Sequence, residues 1–221
     1  MAYLDSADLL ERALSLSKAP AVSEDVGPDQ WYRWLTEAQD YWTRIIAQHD
    51  PRLVCGPPTQ LTSADGGYTY TFPTVPIMVE EITVGKAGTP VRIGADWDPT
   101  VELTWEGDDT LRIARNRSRT FTNGLWSRYI AQPGTIDAST EPSLPVQVRL
   151  LLVPRACVLW ARSGSYRDPN AYLDEEQRLW SGDPRILGDT GILGALKKKA
   201  FMHTQRGQYA WPWWRTADLG R

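Results

Sequence analysis

The spacing of apolar residues changes twice along the chain, and those two changes restrict the folds open to it. Between Pro28 and Asp50, Trp31, Trp34, Leu35, Ala38, Tyr41, Trp42, Ile45 and Ile46 recur every three or four residues. That is the stripe of an amphipathic helix about four turns long. From about residue 52 to 141 the period falls to two, in short β-branched and aromatic runs: GYTYTF, MVEEITV, PVRIG, VELTW, TLRIAR and LWSRYI. Beyond 141 the helical period returns. A chain that reads helix, strand, helix, with no helix between successive strands, predicts an α+β protein with an antiparallel β lobe inserted between two helical segments.

The boundaries follow from local chemistry. In SADLLERALSLS, Ser6 reads as the N-cap, with Asp8 in the first turn and Leu9, Leu10, Ala13 and Leu14 at helical spacing. Pro28 suits the first turn of the next helix, and His49-Asp50-Pro51 ends it, because the residue before proline is pushed out of helical geometry. The strand runs are separated by turn residues: Asp65-Gly66-Gly67, Gly85 to Pro90, Glu106-Gly107-Asp108, Asn123-Gly124 and Pro133-Gly134. The Asn-Gly pair between RTFT and LWSRY is a hairpin signal. Sequential strands of this kind predict a meander, closed as a small barrel or sandwich.

After Ser143 and Pro145, LPVQVRLLLVPRACVLWARSG reads as a helix ending at Gly164, with a kink at Pro154; a strand over Val146–Val153 followed by a short helix is the competing assignment. Asp168-Pro169 opens NAYLDEEQRLW, which Gly182-Asp183-Pro184 stops, and a last helix covers about Thr190–Met202. The expected organisation is therefore N-terminal helices over 1–51, the β lobe over 52–141, C-terminal helices over 142–202 completing a helical bundle core, and an extended arm over 203–221.

The arm carries the largest apolar residues in the shortest span. Tyr209, Trp211, Trp213 and Trp214 crowd the end of the chain, beside Arg206 and Arg215. Burying three Trp and a Tyr would contribute roughly 10–20 kcal/mol gross, at about 25 cal/mol per Å² and about 150–250 Å² per ring. Another protein subunit, or a groove on the chain's own domain, would supply such a surface. The whole chain has eleven Trp and three Phe, and Trp favours interfaces.

Little in the sequence calls for catalysis or a cofactor. A net charge of −3 argues against a dedicated nucleic-acid binder. Two His and two well-separated cysteines, Cys55 and Cys157, leave no zinc spacing. MAYLDSADLLERALSLSK has acids within its apolar stretch, unlike a signal peptide, and no uncharged run is long enough for a membrane span. Both thiols are expected to be free, in a reducing cytoplasm. The glycines of GDTGILGALKKK, at 188, 191 and 194, match no phosphate-loop fingerprint, so a helix start with solvated lysines is the simpler reading. Asp96, Asp98, Glu102, Glu106, Asp108 and Asp109 lack the calcium-loop spacing and read as solvated turns. Arg115, Arg117 and Arg119 would share a strand face, where they either guard an edge or meet phosphates or an acidic partner.

Two stretches and the arm resemble the head-to-tail adaptor (head completion) proteins of tailed bacteriophages, including the tail tubular protein A type. They are WYRWLTEAQDYWTRIIAQHDPRL, with its TEAQ centre, and LPVQVRLLLVPRACVLWARSGSYRDPNAYLDEEQRLW, a Pro-started helix, a break and an acidic helix. The resemblance covers somewhat over a third of the chain, and the β lobe matches only in kind. It implies a structural virion protein without enzymatic activity or cofactor, assembled in the host cytoplasm and located in the neck. Copies would form a ring, usually a dodecamer, between portal protein and next tail component, with DNA passing through the lumen unread and no membrane contact. The arm, through Tyr209, Trp211, Trp213, Trp214, Arg206 and Arg215, would dock on the portal. The alternative from the residues alone is a carbohydrate-binding module whose β lobe presents Trp97, Trp105 and Trp126.

Overall fold

The computed structural model describes residues 4–18, 26–63, 65–115, 121, 123–164 and 167–197. The chain is a mixed α+β protein in which helices flank, in sequence, two small antiparallel sheets.

Helix α1 (Ser6–Ser17) starts one residue earlier than its sequence signal suggests: Asp5, not Ser6, is the N-cap, and its carboxylate accepts the Asp8 N–H at 2.8 Å. Ser6 is instead buried in the first turn. Most of the stripe read from the sequence is the buried face of α2 (Pro28–His49), where Trp31, Trp34, Leu35, Ala38, Trp42 and Ile46 are all inaccessible to solvent or nearly so, while Tyr41 is exposed and Ile45 half-buried. Pro28 occupies the first position, and a 3₁₀ turn over Pro51–Leu53 follows directly.

The expected kink at Pro154 is absent because the helix starts later than expected. Residues 146–148 form turns, Arg149–Leu151 a 3₁₀ turn, and α3 covers only Leu152–Arg162. Pro154 therefore sits in the first α-helical turn, where an N–H has no intrahelical acceptor to lose. The competing strand over Val146–Val153 does not form either. Helix α4 (Asn170–Ser181) begins where expected, with the Asp168 carboxylate accepting the Asn170 N–H at 2.9 Å. Residues 191–197 are helical; 198–202, also expected in that helix, lie outside the described residues.

These helices share one hydrophobic cluster. Helix α3 is at its centre, packed against α1, α2 and α4. Trp31 is joined edge-on to Trp34, with ring centroids 5.0 Å apart, and lies 5.8 Å from Trp160 of α3. Trp42 meets Trp180 of α4 at 5.0 Å. The Trp-rich composition is thus partly a core property, with aromatic pairs knitting together helices from both ends of the chain.

The strands are β1 (Thr59–Gln60), β2 (Thr69–Thr71), β3 (Pro76–Val84), β4 (Leu103–Trp105), β5 (Thr110–Ile113) and β6 (Leu125–Ala131). They are antiparallel, as expected, but they are not a meander. One sheet has the order β1-β6-β3 and the other β2-β5-β4, so only β4 and β5 are neighbours both in sequence and in space. The tight turn over Glu106–Asp109 makes that hairpin, closed by the Glu106 N–H donating to Thr110 O at 3.0 Å. Every other connection is long enough to carry the chain from one sheet to the other. Both sheets bury their inner faces in a second shared core that includes Tyr70, Phe72, Ile82, Leu103, Leu111, Leu125 and Tyr129. The Asn123-Gly124 turn forms, with the Gly124 N–H donating to Phe121 O at 2.8 Å. Residues 116–120 and 122 lie outside the described residues, and β6, which follows the turn, pairs with β1 and β3.

The β sheets and the helices are tied by the two connecting segments. On entry, the Gly56 N–H donates to Tyr129 O at 3.3 Å, so the chain enters beside the strand by which it leaves. On exit, the chain is fastened to α2: Gln39 donates to Gly134 O at 2.9 Å and accepts from the Ser143 N–H at 2.8 Å, while the Thr36 hydroxyl accepts the Ile136 N–H at 2.9 Å. The buried Arg149 completes the fastening, donating to the carbonyls of Leu144, Leu4 and Pro142 at 2.8–2.9 Å, with Glu141 3.5 Å away.

Candidate interaction surfaces

A cleft of about 260 Å³ opens on the outer face of the β1-β6-β3 sheet. Strand alternation makes it. On β6, Leu125, Ser127 and Tyr129 point into the core, which leaves Trp126 and Arg128 side by side on the other face. The register sets Thr83 of β3 opposite Trp126 and Glu81 opposite Arg128, while Gln60 of β1 flanks Trp126 from the other side. The turn after β3 forms one wall. Gly85 adopts a φ of 76°, and the Gly88 N–H closes back on Gly85 O at 3.3 Å. A Cβ at Gly88 would overlap the Val84 carbonyl oxygen, so this turn accepts only glycine there. It carries Lys86 to 5.7 Å from the centre of the Trp126 ring. The Thr83 hydroxyl donates to Gly85 O at 2.7 Å and anchors the turn to the sheet, and Pro58 borders the other side.

Of the three rings named for carbohydrate binding, only Trp126 lines this cleft. Trp105 belongs to the other sheet and stacks on the buried Phe72 at 5.7 Å, at the edge of the shared core. Trp97, in the loop before β4, is 84% exposed. The six arm residues Tyr209, Trp211, Trp213, Trp214, Arg206 and Arg215 lie outside the described residues. So do Arg117 and Arg119, leaving only Arg115, which is exposed just after β5.

The remaining candidates resolve into structural roles. Arg112 bridges Asp96 at 3.5 Å and Glu106 at 3.2 Å, and Asp98 accepts both the N–H and the hydroxyl of Thr100. Among the described residues no group of three or more His, Cys, Asp or Glu is placed to hold a metal ion. In the glycine-bearing stretch, the Asp189 carboxylate accepts the N–H groups of Asp183 and Gly191 at 2.8 and 3.0 Å. An aspartate thus occupies backbone donors that a phosphate would require. The ring of His49 packs on Trp180 at 5.3 Å.

Neither thiol is activated. Cys157 is buried in the helical core, and burial pushes its pKa up to about 12. Cys55 reaches about 12 through burial first and the neighbouring Glu80 carboxylate second, against a smaller opposing effect of Arg128. Thiolate is the reactive form, so both are poor nucleophiles at neutral pH. A separate feature is the loop after α4, where Ile186 is exposed and Leu187 fully so.

Sequence reasoning missed the cleft and the fastening residues. Trp126 was singled out without its neighbours, although WSR on a strand places its Trp and Arg on one face. For Gln39, the available signal was a polar residue four positions after Leu35 and three before Trp42, inside an otherwise apolar stripe. No protein-family model matches the chain, and no curated protein matches it. Among the described residues no helix is long and apolar enough to cross a membrane.

Proposed function

We propose that this chain is a structural subunit of a tailed-bacteriophage particle, a head-to-tail adaptor. Copies of it form a ring between the portal and the next tail component, DNA passes through the ring, and the C-terminal arm docks on the portal. The observation that carries this reading is the joining of the two stretches that resemble such adaptors. Residues 31–53 and 144–180, about ninety positions apart in the chain, share one core through Trp31 against Trp160 and Trp42 against Trp180. The strands lie between them in sequence and keep a core of their own.

The test is binding to the portal protein encoded in the same genome, by the full chain and by a chain ending at residue 202. Full-length protein is expected to form a ring on the portal that electron microscopy resolves, and the shortened chain to lose it. A full chain that never binds portal removes the adaptor reading. Equal binding by the shortened chain removes the docking role of the arm alone.

A further inference from the structure

The cleft on the β1-β6-β3 sheet combines groups that the assembly role does not use, and from it we infer that the protein has a binding site for an acidic sugar, a pyranose bearing a carboxylate. This site stands independently of the adaptor reading. Four properties of the cleft select that class of ligand.

The first is the floor. Trp126 is half-buried on the outer sheet face, and an indole held this way accepts the C–H face of a sugar ring. Lys86, 5.7 Å from the ring centre, is close to the outer limit of about 6 Å for cation–π attraction, so it can swing toward an anion at little cost. The second is charge. Lys86 and Arg128 are exposed cations on either side of Trp126, one on the wall and one on the sheet, arranged to receive a carboxylate at the edge of a stacked ring.

The third is the presence of an acceptor. Glu81, opposite Arg128, is exposed and has a carboxylate that takes hydroxyl protons. The hydroxyls of a sugar acid match Glu81, while its carboxylate matches Lys86 and Arg128. The fourth is topology. β6 is the central strand and its backbone groups pair with β1 and β3. A peptide cannot add to this face as another strand, so recognition must go through side chains. At about 260 Å³ the cleft is somewhat smaller than the roughly 300–1,000 Å³ usual for ligand pockets, which suits one or two sugar rings.

The experiment titrates the full chain with digalacturonate, with galactobiose as the uncharged counterpart and with acetate, followed by calorimetry and by the indole N–H resonances. Digalacturonate is expected to bind with a millimolar or tighter Kd that weakens as salt is added, and the other two to bind at least tenfold more weakly. Trp126→Ala and Arg128→Ala should each weaken binding at least tenfold. Lys86→Ala, in an exposed turn, provides a third variant that does not depend on the sheet. All three must keep the wild-type methyl spectrum. Equal affinity for galactobiose or for acetate would overturn the assignment of ligand class. Digalacturonate binding that all three substitutions leave unchanged would overturn the site, and no binding at millimolar concentration would overturn both.

Discussion

Arg149 is buried and holds three carbonyls from two separate parts of the chain: Leu4 before α1, and Pro142 and Leu144 on the exit segment. Methionine at this position would fill most of the volume and leave those carbonyls without donors. Each unsatisfied buried acceptor costs about 1–3 kcal/mol, so Arg149→Met should lower the unfolding free energy by about 3–5 kcal/mol, read by urea denaturation. A loss below about 1 kcal/mol would mean that water replaces the guanidinium. Glu176 is another buried charge, 2.8 Å from Arg155, whose guanidinium also covers the Tyr41 ring at 3.6 Å. Burial pushes the Glu176 carboxyl above its ordinary range, against the opposing pull of Arg155 and Arg162. With the folded value raised, the native state binds the proton more tightly than the unfolded chain does. Its stabilising contribution is complete below the unfolded value of about 4.3 and is lost as pH rises through the folded one. Glu176→Gln should remove that falling component from a stability-versus-pH curve. An unchanged slope just above pH 4 would show that Glu176 titrates normally.

At the scale of elements, Pro154 makes a prediction opposite to its sequence reading. A proline in mid-helix costs about 3 kcal/mol, and its removal would then stabilise strongly. In the first turn of α3 it costs little, so Pro154→Ala should change the unfolding free energy by less than about 1 kcal/mol in thermal or urea melts. What could be read from sequence divides along the same physical line. Helix α2 was legible because its stripe, its Pro28 start and its Asp50-Pro51 stop are local signals. Most strand runs were legible for the same reason, since period two is local. Their order was not, because pairing β6 with β1 and β3 is decided by how two sheets bury a common face, and no spacing encodes that. The cleft fell in the same gap. Trp126 and Arg128 are two residues apart, but Glu81 and Lys86 join them only through the β3–β6 register and the turn after it.

For the whole molecule, the fastening of the exit segment matters more than any one surface. Thr36 and Gln39 on α2 hold Gly134, Ile136 and Ser143, so the segment leaving the sheets is fixed to the helices by hydrogen bonds rather than by apolar contact alone. Gln39→Leu should therefore destabilise even though leucine suits the stripe, by about 1–3 kcal/mol for the backbone groups it strands. A neutral or stabilising result in denaturant melts would show that apolar packing alone sets the exit segment. In an assembled ring, such fastening would keep all the β units at a common angle to their helices.

The chain enters the β unit beside the strand by which it leaves, with Gly56 bonded to Tyr129. Two ends that meet in this way make the unit a cassette. Its strands can be lengthened, shortened or exchanged without moving the two points at which it joins the helices. Replacing residues 58–129 with a short Gly-Ser loop should leave a helical protein that keeps its cooperative melt. A lineage of such chains would then vary fastest in the β unit, adapting to new neighbours without rebuilding the helices that carry it.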